Sequence, residues 1–420
     1  MLFIAFLITI IFTFLGWYAS RDIFSPFVIQ PGVWAGLLLL YYLVRPDFYP
    51  ITHDFPIALV LWCVGFLSAA YAVFVWMPEK RGLVSEQPLL ASVQPSRRLI
   101  RVYILVALVL VPFMLIALIR YGLERGEVNL FLYIRMASTM EDYDKPEFGL
   151  LNYLIPLILV SLILAFTYFK SKWALTIVVL VNIASGFITM SKTAFFVALI
   201  SAIFILYSQK RIRVRTIGIW MVVFLLFSVW FQYVRMLESE QEKFSIGNML
   251  SLYTMSPCVA FDYYAEPLSA AHPGEHVFRF YYAIMHALGS DVEPVRNIQT
   301  FVGVPELTNT YTVLHPFYID FGLWGVFIFG MLYGVFYGYL YKRARAGNNI
   351  YFVIYAFFIS YLALQFVQED IFSLLSLNLQ SVVFLLLPFV VGKRAGTKGG
   401  EGKEEEALPI HKNAKAYGKD

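Results

Sequence analysis

Asn309-Thr310-Tyr311-Thr312-Val313-Leu314-His315-Pro316-Phe317-Tyr318-Ile319-Asp320-Phe321-Gly322 closes the one long polar interruption in an otherwise apolar chain. It leads straight into a glycine-patterned hydrophobic run. Pro316 suits the first position of a helix, where its missing N–H costs nothing and its φ is already set. A span starting there presents free N–H groups and the positive end of its dipole beside His315. Gly330, Gly334 and Gly338 recur every four residues, with Gly322 and Gly325 above them. Small residues at that spacing form a face on which a neighbouring helix packs closely. Asp320 lies about one turn inside the span, where an acid is expensive and by default faces a wet cavity. The plainer alternative for Asp320 is a cap, or a pair with an interfacial Lys or Arg.

Working outward, the composition sets the class. Of 420 residues, 60% are hydrophobic and 14% charged, and the mean hydropathy is +0.69. Soluble domains carry about 25% charged residues, so this chain lacks the polar surface to be one. It reads as an all-α polytopic membrane protein. The net charge of +4 lies in short connections and reports orientation, with no nucleic-acid partner implied. Cys63 and Cys258 define no disulfide framework, and no Cys/His cluster suggests a metal.

A helix needs roughly 20 apolar residues to cross a bilayer. Eleven runs qualify: 2–19, 28–45, 56–77, 100–119, 149–169, 173–190, 193–209, 216–234, 317–341, 350–367 and 372–392. Residues 2–19 have no basic segment before them and read as a first span, with a signal peptide as the alternative. Basic residues cluster at Lys80–Arg81 and Arg97–Arg98, at Lys170 and Lys172, at Lys210–Arg215, at Lys342–Arg345 and at Lys393–Arg394. With eleven spans these all fall on one face, which the positive-inside rule makes cytoplasmic. The N-terminus is then outside and the C-terminus inside. Residues 1–392 form a single transmembrane domain, followed by a disordered cytosolic tail over 393–420.

Two outer loops follow, 120–148 and 235–316. In the longer one, 246–261 and 277–289 read as interfacial or re-entrant helices. Arginine offers a planar, permanently charged partner for phosphate. Arg279, ringed by aromatics in Glu275-His276-Val277-Phe278-Arg279-Phe280-Tyr281-Tyr282, is the best placed, with Arg135 and Arg235 next. A lone outer arginine is also an ordinary interfacial anchor. Ser191 caps the seventh span and puts Lys192 at a dipole end that repels cations. Lys192 therefore either meets an anion or snorkels to water. Tyr253, Phe261, Tyr263, Tyr264, Phe280, Tyr281, Tyr282, Tyr311 and Tyr318 suit stacking on sugar rings, or an aromatic belt. Asp262 and Glu266, at i and i+4, share a helix face; Asp262 or His315 is the candidate general base, with Asp320 a third catalytic candidate. There is no Walker A loop, no Gly-x-Ser-x-Gly elbow, no His-Glu-x-x-His run and no DxD pair. A substrate would therefore arrive already activated, through the membrane, with no cofactor and no metal.

These features resemble the O-antigen polymerase (Wzy-type) family, oligosaccharide repeat-unit branch. The likeness rests on Asn309-Thr310-Tyr311-Thr312 with Pro316 through Gly325, on Gly186 through Thr193, and on the span layout with its late, dominant outer loop. In the second stretch Lys192 stands where the family often has arginine. The resemblance implies a GT-C-type membrane glycosyltransferase of the bacterial cytoplasmic membrane. It would join undecaprenyl-pyrophosphate-linked oligosaccharide units at the outer face, making O-antigen, capsule or exopolysaccharide. A chain-length-regulating co-polymerase and a flippase are the implied partners. Under it, Arg279, Arg135, Arg235 and Lys192 face pyrophosphate, while Asn309, Tyr311 and Thr312 orient sugar or phosphate. An O-antigen ligase and a lipid-linked oligosaccharide flippase or transporter are the alternatives.

Overall fold

The computed structural model describes residues 1–44, 49–51, 54–77, 93–124, 149–189, 191–234, 246–296, 299–304 and 307–392. The described chain is almost wholly helical. Its helices are α1 (Leu2–Ser20), α2 (Pro26–Val44), α3 (Asp54–Trp76), α4 (Arg97–Glu124), α5 (Pro156–Tyr168), α6 (Lys172–Ile188), α7 (Lys192–Ser208) and α8 (Val214–Val234). They continue with α9 (Ile246–Tyr264), α10 (Arg279–Ala287), α11 (His315–Arg345), α12 (Asn349–Ala363) and α13 (Leu375–Val391). A 3-10 turn over Gly149–Leu154 precedes α5, and one two-stranded hairpin pairs Val302 with Thr308 and Gly303 with Leu307. Among the described residues six helices are long and apolar enough to cross a membrane, and five shorter apolar helices coincide with the other expected spans. Large apolar side chains such as Phe14, Leu105, Phe113 and Leu226 stay exposed, as lipid-facing surface requires. The expected re-entrant helices are α9 and α10. The tail from 393 lies outside the described residues.

The chain forms two compact units. One comprises Met1–Glu79, Glu240–Lys342 and Tyr361–Leu379; the other comprises Lys80–Ser239, Arg343–Ser360 and Gln380–Asp420. In the second unit Ala107, Leu110, Met114 and Leu118, spaced three or four apart on α4, pack with Ile158, Val181, Ile188 and Phe195. Ser171 and Ser191 cap α6 and α7 by accepting from Ala174 N (3.5 Å) and Ala194 N (3.2 Å), as expected for Ser191. Gly186 is where the Phe195 ring lies: a Cβ there would sit 2.6 Å from it.

In the first unit the glycine face meets α3 backbone to backbone. A Cβ on Gly330 would lie 3.0 Å from Trp62 O, on Gly334 2.1 Å from Phe66 O, and on Gly338 3.0 Å from Ala70 O. Both helices thus contribute a row at four-residue spacing. Gly65, from the α3 side, meets Phe327 O in the same way at 2.6 Å.

One expectation is corrected here. Helix α11 is not a single span starting at Pro316; it breaks at Gly322, with φ 63° and ψ −157°. That region of backbone space is open essentially to glycine alone. The seven residues His315–Phe321 fold back on the rest. The Phe317 ring stacks on Phe329 at 4.5 Å and 10°, whereas a straight helix would separate the two by about 18 Å. Phe317 O lies 2.4 Å from where a Gly325 Cβ would be. The start of α11 is therefore not offered to the surface: Leu314, His315 and Phe317 are all buried. The length from Leu323 to Arg345 still suffices to cross about 30 Å of hydrocarbon.

Gly322→Ala has room for its methyl, with nothing closer than 3.8 Å, so its cost is conformational. We expect a loss of about 1–3 kcal/mol. Gly334→Ala meets a carbonyl that cannot rotate away and should lose at least as much. Gly36→Ala, with nothing within 4 Å, should be neutral or mildly stabilising. Thermal unfolding of the three variants in detergent checks the ranking, which fails if Gly36→Ala melts with the other two.

Candidate active site

The polar residues of the first unit converge on the segment that ends at Gly322. Thr308 Oγ1 meets Ser256 Oγ at 3.1 Å and Thr310 Oγ1 at 2.9 Å, anchoring the hairpin to α9. Thr312 is fully buried; its Oγ1 accepts from Leu314 N (3.3 Å) and its carbonyl from His315 N (3.1 Å), starting the short helix. Val313 N donates to Gln365 O at 2.8 Å, and the Gln365 amide bridges Trp62 Nε1 (3.1 Å) to Gln30 O (2.8 Å). His315 is 5% exposed and its ring lies 4.2 Å from that of Tyr311, itself 5% exposed. Asn309 is half-buried just above.

Asp320 sits on the short helix, not in a cavity. It accepts from Val277 N (2.8 Å), from His276 N (3.1 Å) and from His276 Nδ1 (2.8 Å). Its three donors tie residues 276–277 to α11. The carboxylate is inaccessible, whereas the His276 side chain keeps 16% of its surface. The ring makes no other hydrogen bond among the described residues.

Asp262 accepts from Phe55 N at 2.9 Å, where α3 begins, and beside it Tyr318 donates its hydroxyl to Asp54. The sequence offered Asp262 as a base; its place in the fold is that of a helix cap contributed by another helix. Such a cap contributes about 1 kcal/mol. The aromatics divide. Phe261, Tyr311 and Tyr318 are core, while Tyr263, Tyr264 and Tyr281 keep 41%, 46% and 57% of their surface.

Arg279 opens α10. Its Nε donates to Val295 O at 2.5 Å, fixing the plane of the guanidinium. Among the described residues no carboxylate pairs with it. Half-burial pulls its pKa below the usual arginine value, because desolvation disfavours the charged form. Arg135 and Arg235 lie outside the described residues, and of Lys192 only the backbone is described. Of the ten expected site residues, the first unit thus brings together Arg279, His315, Asp320, Asp262, Asn309, Tyr311 and Thr312.

A family model for O-antigen polymerases matches residues 2–366. The chain belongs to the O-antigen polymerase family. No curated protein and no solved structure matches it at a significant level. Membership makes it a polysaccharide-biosynthetic membrane protein of glycosyltransferase type, acting on lipid-linked oligosaccharide.

Two features of this O-antigen polymerase escaped the sequence reading. His276 was quoted only as a neighbour of Arg279, because nothing local reveals that residue 320 returns to it. Glu369 and Asp370, in the connection from α12 to α13, are 5% and 4% exposed. Glu369 accepts from Ile371 N (2.7 Å), Phe372 N (2.8 Å), Ser373 N (2.8 Å) and the Tyr333 hydroxyl. Asp370 accepts from the Gln368 amide alone, and Asn378 Nδ2 bonds its carbonyl at 2.7 Å. Burial pushes the Asp370 carboxyl up to about 7; the Gln368 bond opposes this and the Glu369 charge adds to it. Burial also raises Glu369, against its four hydrogen bonds. A Gln-Glu-Asp run between two apolar segments was the available signal.

The sign of the linkage follows. The unfolded carboxyl titrates near 3.8 and the folded one near 7, so between those values the native state holds the extra proton. Stability falls as pH rises through that window, by at most about 4 kcal/mol for Asp370. Asp370→Asn should therefore melt higher than wild type at pH 8 and nearly alike at pH 4.5. Parallel melting curves for the two proteins across that range would contradict the assignment.

Proposed function

We propose that this chain polymerises undecaprenyl-pyrophosphate-linked repeat units at the outer face of the bacterial cytoplasmic membrane. The growing glycan leaves its lipid carrier and is transferred as a block to the end sugar of an incoming lipid-linked unit. One observation carries the finer reading: Arg279 is oriented by Val295 O, half-buried, and has no acid partner among the described residues. A desolvated guanidinium without a counter-charge is costly unless an anion arrives, and a bidentate fork matches phosphate oxygens. Bond breaking at the donor sugar builds positive character on the ring and negative charge on the departing pyrophosphate. A fixed donor aimed at that charge in a water-poor site is worth about 2.7–4 kcal/mol, by analogy with one oxyanion-hole donor. The exposed Tyr263, Tyr264 and Tyr281 offer faces for sugar rings. Tyr311 and Thr312 hold the segment on which Asp320 and His315 stand. The N-terminus lies outside and the C-terminus in the cytoplasm, and a co-polymerase and a flippase serve the same pathway.

The glycine-to-backbone packing of α11 on α3 argues against a flippase or transporter, whose working cycle needs elements that slide or rock. Polymerase and ligase separate genetically. Deletion of a polymerase leaves single repeat units on the final acceptor, whereas loss of a ligase strands long chains on carrier lipid. We expect single units, read on a gel of surface polysaccharide. Arg279→Ala should abolish long chains while inserting normally, and Arg279→Lys should retain a fraction. Wild-type chain lengths in Arg279→Ala would remove the pyrophosphate site.

A further inference from the structure

We propose that His276 accepts the proton of the attacking sugar hydroxyl through Nε2, with Asp320 as the residue that positions its ring. This deepens the polymerase reading and rests on it.

The geometry is over-determined in one respect. Tying the 276–277 turn to α11 needs only the two backbone bonds, His276 N at 3.1 Å and Val277 N at 2.8 Å. The third bond, from the imidazole Nδ1 at 2.8 Å, adds nothing the turn requires. It does fix the ring. An ionised carboxylate only accepts, so Nδ1 carries the hydrogen and the neutral ring presents a lone pair at Nε2. The edge bearing Nδ1 faces a carboxylate with no accessible surface, while the histidine side chain keeps 16% of its own. A buried acid, an oriented imidazole and a far nitrogen without a partner among the described residues form the arrangement that makes histidine a general base.

The surrounding charges are compatible with that role. Glu275, next in sequence, is occupied by Ala271 N (2.8 Å) and His272 N (3.2 Å). Arg279 and Tyr282 stand on α10, and Tyr282 donates its hydroxyl to Pro273 O at 2.9 Å. From α11 come Asp320 and His315, the latter an electrostatic neighbour of His276. His315 is 5% exposed against the Tyr311 ring, so an acceptor sugar reaches His276 more readily. In the step itself the acceptor oxygen forms a bond to the donor anomeric carbon. The bond from that carbon to the pyrophosphate oxygen breaks, and its electron pair leaves with the pyrophosphate. The hydroxyl proton passes to Nε2, while Nδ1 keeps its hydrogen bonded to Asp320.

The test uses the full chain in nanodiscs with a lipid-pyrophosphate repeat unit as both donor and acceptor. His276→Asn keeps a donor where Nδ1 was, so the turn and the melting temperature should be retained. Turnover should fall by about 10²–10⁴-fold, donor binding should stay within about threefold, and the acid limb of the kcat/KM pH profile should vanish. Asp320→Asn turns a donor toward Nδ1, reverses the tautomer and should lose the same limb. If His276→Asn elongates chains at the wild-type rate with an unchanged pH profile, His276 is only a clamp and the proposal falls. If the wild-type protein binds the unit but forms no chains, the polymerase reading fails instead, and the two failures are told apart by that one control.

Discussion

Backbone that turns back inside a membrane protein must leave no N–H or C=O without a partner, because hydrocarbon supplies none. The segment leading to the reversal at Gly322 is paired in this way, and the candidate site is a consequence of that reversal. The descending segment is paired step by step: Val313 N to Gln365 O, Leu314 N to Thr312 Oγ1, His315 N to Thr312 O. On the far side Leu268 N reaches Tyr318 O at 3.4 Å. Folding the short helix back brings Phe317 and Phe321 onto Phe329 in stacked geometry, burying a ring ladder in place of a solvated turn. It also places Asp320 against residues 276 and 277, more than 40 positions earlier. A straight α11 would have carried Asp320 along its own axis with no such partner.

The acids and cations of the first unit are treated differently, and the asymmetry is informative. Asp320, Glu369, Asp54 and Asp22 each receive donors from within the protein, the last from the Tyr341 hydroxyl at 3.0 Å. Lys342 is likewise occupied, by Phe74 O and Met77 O at the end of α3. Among the described residues Arg279 has the Val295 carbonyl and no carboxylate. Satisfied carboxylates beside a half-buried guanidinium with no acid among the described residues support the proposed anion partner.

Much of this was legible in the sequence because membrane solvation dictates it. Apolar runs near 20 residues, the glycine spacing of α11, the Ser191 cap and the helices at α9 and α10 follow from local chemistry. The Gly322 break was not legible for a specific reason. Glycine at 322 reads equally as the top of the small-residue face, and Pro316 gives a stronger start signal than any single glycine gives for a break. The His276–Asp320 pair was hidden because it is a consequence of that reversal. The contact of Asp262 with Phe55 N was hidden for the converse reason: an acid on a helix face shows its charge in sequence but not the α3 terminus it meets.

The rigid and the open parts of the first unit divide the labour that block transfer needs. Two lipid-linked substrates must meet with the acceptor oxygen in line with the departing phosphate, and orientation of this kind accounts for much of a catalysed barrier. Packing of Gly334 on Phe66 O and Gly65 on Phe327 O leaves α3 and α11 no slack to shift. The groups tied to them, Asp320 directly and His276 through it, inherit that fixed position. The aromatic faces at Tyr263, Tyr264 and Tyr281 lie on α9 and α10, outside this core. Under the proposed function, sugar identity can then vary at the stacking surface without disturbing the proposed proton acceptor or phosphate partner. A polymerase must pass chains of growing length through one unchanging bond-forming geometry, and a rigid helix pair beneath an adaptable aromatic surface satisfies both demands.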